Sequence, residues 1–182
     1  MKPSPIASIL LFVGAAMLLF ALVSSGWLTT SRGEFSGGIG ITRSESCGGG
    51  ECRSELIFKH LDTNVESVLS VVTGLFTLGT VVFAIIAGII LMKPRRSGLA
   101  LVAMILASVA FLAGVALILK WKVKTDMFSV GYAFFIFVHG CAGVITASIM
   151  AMMRPRAGAP AGMRMAGHAQ SQPFQQANPY GQ

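Results

Sequence analysis

Four long apolar runs divide the chain, and the charged residues fall between them. Between Lys2 and Arg32 lie 29 residues without a charge, between Glu66 and Lys93 lie 26, between Arg96 and Lys120 lie 23, and between Asp126 and Arg154 lie 27. Roughly 20 apolar residues carry a helix across the hydrocarbon core of a bilayer, so each run has room for one crossing. The spacing predicts spans over about 6–27, 67–92, 98–119 and 128–152. A helix half-buried in a soluble core shows a polar stripe at a period near 3.6 residues. None is expected in these runs, which are dominated by Leu, Ile, Val, Ala, Phe and Met. The predicted class is an all-α membrane protein, a bundle of four transmembrane helices.

The segments between the runs refine this outline. Residues 28–66 form a loop of 39 residues, too short to hold a core of its own without a staple, a metal or support from the helix ends. Apolar positions alternate weakly through "GGIGITRSES" and again through "CRSELIFKHL", with glycines between, which predicts a small β-hairpin or sheet. Residues "LDTNVES" offer an early start to the second helix, with Asp62 or Thr63 as its cap and Glu66 at the positive end of its dipole. "MKPRRSG" reads as a tight turn ended by Pro94. "KWKVKTD" is a short link in which Trp121 suits a membrane interface. The expected membrane domain covers residues 1–155. Residues 156–182, rich in Gly, Ala, Pro and Gln, are expected to be a disordered tail.

Charge adds a polarity. Lys2, Lys93, Arg95, Arg96, Arg154, Arg156 and Arg164 lie on one side of the four runs with no acid beside them. Arg32, Arg43, Arg53, Lys59, Lys120, Lys122 and Lys124 lie on the other and are balanced by all seven acids. The whole formal charge of +7 thus sits on one face. Short cytoplasmic loops are the ones enriched in Lys and Arg, so both termini are expected in the cytoplasm of a multi-pass cell-membrane protein, with 28–66 outside. A pI near 9.9 is explained this way, and nucleic acid is not an expected partner, because no basic cluster sits on a soluble face. The first run also admits a second reading, as a signal peptide cut near Ser25. Its length and Trp27, placed as an interfacial anchor, favour a retained span.

Few residues are candidates for chemistry. Cys47 and Cys52 flank "GGGE" in the outer loop, where thiols oxidise. A structural disulfide is the leading reading, and a redox-active pair or a metal site completed by His60 are the alternatives. His139 is the intramembrane polar candidate, either in a proton path or simply bonded to a hydroxyl or backbone carbonyl. Small residues four apart, such as Ala84 with Gly88 and Ala110 with Gly114, suit close helix packing. No catalytic, cofactor-binding or metal motif stands in a suitable context, so an enzyme is not expected.

This arrangement resembles the claudin and peripheral myelin protein superfamily. Trp27 after the first span, Gly38–Ile39–Gly40 and the pair Cys47 and Cys52 fall where that family has W, then G-L-W, then two cysteines. "GYAFFIFVHGCAGVITASIMAMM" is similar to its fourth span, and the likeness covers about residues 5–155. The chain departs from the motif in having no Trp after Ile39, a shorter cysteine spacing and Glu66 where an Arg is usual. The resemblance implies a small outer sheet stapled by Cys47–Cys52 on a four-helix bundle. It also implies a non-enzymatic role in membrane organisation, adhesion or barrier formation, with the bilayer, further copies of the chain or another membrane protein as partners. A channel, transporter or accessory subunit is the alternative, and a thiol–disulfide oxidoreductase is a third.

Overall fold

A computed structural model describes residues 5–32, 35–56, 65–92, 98–124 and 128–153. The expectations for residues 156–182, for the turn at 93–97, for His60 and for a cap at Asp62 or Thr63 lie outside these residues. Four helices follow the apolar runs: α1 (Pro5–Val23), α2 (Val65–Leu91), α3 (Leu99–Lys124) and α4 (Tyr132–Met152). All four are long and apolar enough to cross a membrane. They pack in the ring order α1–α2–α3–α4, with α2 against α3 and α1 against α4 as the most extensive pairs.

The interior of the bundle mixes large apolar side chains, among them Leu11, Leu18, Leu91, Leu117 and Phe137, with many small ones. Ala84, Ala87, Ala100, Ala103, Ala107, Ala110, Ala133 and Ala147 are fully buried, and large aliphatics such as Leu75 and Leu112 face outward. At the α1–α4 crossing, a Cβ on Gly14 would come within 3.1 Å of the Gly140 carbonyl oxygen, so the two backbones touch. Small residues at helix crossings permit this approach, and the gain is van der Waals contact.

One expectation is corrected here. α2 does carry a polar stripe, formed by Ser70, Thr73, Thr77 and Thr80 at spacings of three, four and three, and it faces inward. Thr73, Thr77 and Thr80 each donate to the carbonyl four residues earlier, at 2.7, 2.6 and 2.7 Å. Each hydroxyl is satisfied within its own helix, which makes burial inexpensive.

At one end of the bundle stands an antiparallel sheet of β1 (Leu28–Arg32), β2 (Phe35–Ile39), β3 (Arg43–Gly48), β4 (Glu51–Leu56) and β5 (Ser129–Val130), in the order β4-β3-β2-β1-β5. The predicted small hairpin or sheet is a sheet of five strands, and it draws β5 from the second link, between α3 and α4. The expected spans shift accordingly. α1 stops at Val23, because residues 24–27 turn into β1. α4 starts at Tyr132, because Ser129 and Val130 pair with β1. α3 runs to Lys124, five residues past the predicted end.

Candidate functional site

The stapled sheet is the part of the molecule built from specific polar contacts, and its hairpin shows why. β3 and β4 are joined by Gly49 and Gly50, with φ of 61° and 86°. A two-residue turn of this kind needs positive φ at both central positions, which glycine reaches without strain, and its twist matches that of the strands. The closing pair is Gly48 with Glu51, which makes Cys47 with Cys52 the next pair. In an antiparallel ladder that second pair is a non-hydrogen-bonded one, where the strands approach most closely. The Cα atoms are 4.1 Å apart, and the two cysteines form a disulfide. Closing so short a loop contributes roughly 2 kcal/mol on the chain-entropy model. Glu45 and the two cysteine sulfurs lie within 4.8 Å of one another, yet the disulfide consumes both thiolates that would bind a metal.

The sheet is fastened to the bundle through Trp27. Its side chain is fully buried, with ring centroids 4.7 Å from Phe137 and 5.7 Å from Phe134. The expected interfacial anchor is therefore a plug: an anchor faces lipid headgroups, whereas this ring fills the space between α3 and α4. A Cβ on Gly114 of α3 would lie 2.6 Å from Phe137 and 3.5 Å from the Trp27 ring.

The same residues complete the helix ends. The last four carbonyls of an α-helix lack partners within it. At the end of α1, the Ser24 backbone N–H donates to Phe20 at 3.1 Å, Trp27 Nε1 donates to Ala21 at 2.7 Å, and Thr42 Oγ1 donates to Leu22 at 2.8 Å. At the start of α4, the Ala133 N–H donates to the Gly26 carbonyl at 3.0 Å. Ser70 Oγ of α2 donates to the Ile41 carbonyl at 2.8 Å, and Ile41 itself is fully buried.

Gly38 and Gly40 have a physical role in this junction. A Cβ on Gly38 would sit 2.7 Å from the Ser25 carbonyl oxygen, and one on Gly40 would collide with that of Ser24. Between them, the Ile39 carbonyl accepts the Trp27 backbone N–H at 3.1 Å. The structure thus brings Trp27, Gly38, Ile39 and Gly40 together at one junction, with Cys47 and Cys52 farther out in the same sheet. His139 stands apart. Its side chain is exposed on α4, and Nδ1 lies 2.8 Å from the Phe135 carbonyl, which can only accept, so Nδ1 donates.

Sequence reasoning missed several members of the site. Ser25 Oγ donates to Glu45 at 2.8 Å, and the two residues line a cleft of about 340 Å³ with Thr30, Ser36 and Tyr132. Thr42, Ser129 and Val130 gave no signal, being common residues in short segments. The chain matches no family model, and no curated protein matches it.

Proposed function

We propose that the chain is a claudin-like multi-pass protein that crosses a cell membrane four times, with the sheet outside and both termini in the cytoplasm. Its role is membrane organisation, adhesion or barrier formation without enzymatic chemistry. The sheet makes contact with further copies of the chain or with another membrane protein.

Two facts support the membrane setting. Leu75 and Leu112 are 65% and 67% exposed on the helix surfaces, while the hydroxyl residues Ser70, Thr73, Thr77 and Thr80 are buried inside beside alanines and larger apolar side chains. Water would impose the opposite arrangement, whereas a bilayer solvates aliphatic side chains at no cost. The full +7 on one side of the runs agrees with the positive-inside rule.

The observation that carries the functional reading is the fixing of the sheet to three helices by Trp27, Thr42 and Ser70. A sheet held in this way, with its outer hairpin closed by a disulfide, presents a fixed polar surface above the bundle. This is suited to recognition, because little ordering entropy is lost on contact. Sizing of the purified protein in detergent, combined with crosslinking in cells, tests the proposal. Self-association or capture of a membrane partner is expected. A monomer that crosslinks to nothing contradicts it, and solute flux in reconstituted vesicles abolished by His139→Ala replaces it with a transport function.

A further inference from the structure

A cleft of about 340 Å³, within the range of small-molecule sites, opens where the sheet meets the ends of α1 and α4. Ser25, just past α1, lines it with Thr30, Ser36 and Glu45 of the sheet and with Tyr132, the first residue of α4. Among the described lining residues Glu45 alone is charged. Its carboxylate has one polar partner there, the Ser25 hydroxyl, which donates to Oε2 at 2.8 Å. An ionised carboxylate has about four lone-pair sites, so most of its capacity is unspent.

The lining selects the kind of ligand. A carboxylate with no Lys or Arg beside it takes a cation. The oxygens of Ser25, Thr30 and Ser36 accept hydrogen bonds, which suits a primary ammonium with its three N–H donors. A quaternary ammonium has no N–H and is recognised by a cage of aromatic rings, whereas Tyr132 alone is aromatic among the described lining residues.

The surroundings select the molecule. Tyr132 lies beside Phe20, with ring centroids 6.5 Å apart, and both are exposed on the helix surfaces with Val23 and Phe135. This apolar surface leads up to the cleft and suits acyl chains. Arg43 is exposed on the same face of β3 as Glu45, two residues before it. Across β2, Gly38 stands opposite Glu45 and the Gly40 N–H donates to the Arg43 carbonyl. Both glycines abut the Ser24–Ser25 backbone, so this face is the one toward the Ser25 wall. Arg43 is also nearer the bundle than Glu45, because Ile41 is buried and Thr42 bonds to Leu22 of α1. A phospholipid with an amine headgroup carries its charges in the same order, phosphate nearer the acyl chains and ammonium farther out. Arginine is well matched to phosphate oxygens.

We propose that this cleft binds the headgroup of an outer-leaflet phospholipid that bears a primary ammonium, with Glu45 pairing the ammonium and Arg43 the phosphodiester. This rests on the membrane setting proposed above and adds a lipid ligand to it.

The test uses the full chain in detergent, with bound lipid counted by native mass spectrometry. The probes are phosphatidylethanolamine, phosphatidylcholine and phosphatidylglycerol with identical acyl chains. Phosphatidylethanolamine is expected to bind about tenfold or more tighter than either of the others. Glu45→Gln keeps an acceptor for Ser25 but loses the charge, and is expected to erase that preference at an unchanged unfolding midpoint. Arg43→Gln is expected to weaken all three lipids alike, since each carries the phosphodiester. Equal binding of the three lipids by the parent, or a preference that survives Glu45→Gln, overturns the site. Displacement of the lipid by an equal concentration of N-acetyl-lysine amide overturns it in favour of a peptide amine. If the preference holds while thiol labelling places the sheet on the cytoplasmic side, the outer leaflet is overturned. If the sheet is outside and no preference is seen, the headgroup site falls and the membrane setting stands.

Discussion

The bundle and the sheet are held together by different means, and the difference sets how each responds to change. In the bundle, backbone groups and the hydroxyls of Thr73, Thr77 and Thr80 are satisfied within single helices, and side chains pack by size. In the sheet and its junction, single side chains complete groups on other elements: Trp27 for Ala21, Thr42 for Leu22, Ser70 for Ile41. The junction therefore depends on a few irreplaceable residues, whereas the bundle spreads its dependence over many contacts.

The comparison breaks most sharply at Trp27. Trp27→Ala is expected to cost about 3–5 kcal/mol, the range for emptying a large buried aromatic site, read as a lower midpoint in detergent unfolding. Trp27→Phe keeps most of the packing but strands the Ala21 carbonyl in a buried place. Its expected cost is about 1–3 kcal/mol, so a loss equal to that of Trp27→Ala would put the whole effect in the hydrogen bond.

Replacing Cys47 and Cys52 together by Ser is expected to cost roughly 2 kcal/mol. The loss should fall on β3 and β4, seen as faster amide exchange there while α1 and α4 stay protected. Uniform loss of protection would mean that bundle and sheet unfold as one unit. The smallest effect belongs to the bundle. Thr77→Val is expected to cost about 0.6 kcal/mol or less, because the hydroxyl serves only its own helix.

The same contrast explains what the sequence disclosed. The four helices were legible because a crossing needs an uninterrupted apolar length, and length without charge is visible in one dimension. The hairpin was legible because a glycine-rich run between two cysteines suits both a turn and a staple. β1, reading Leu-Thr-Thr-Ser-Arg, and the two-residue β5 were not, since neither alternates and each is defined by its partners, β1 by β2 and β5 by β1. Trp27 was noticed at its correct place but in the wrong role. A tryptophan at a span end carries the same signal whether it meets headgroups or plugs a bundle, and the partners that decide it, Gly114 and Phe137, are about a hundred residues away in sequence. The inward stripe of α2 was hidden because threonine among valines and leucines barely lowers hydropathy, and only its self-satisfied bonds make it suitable inside.

The central claim is that the bundle crosses a membrane with the sheet on the outer face. Membrane-impermeant thiol labelling of sealed vesicles of known orientation tests it most directly. Ser31→Cys, on the exposed part of β1, and Arg95→Cys, between α2 and α3 in sequence, are compared in otherwise unchanged protein. The account predicts that Ser31→Cys labels only from the outer side and Arg95→Cys only from the cytoplasmic side. Labelling of both from one side would contradict it.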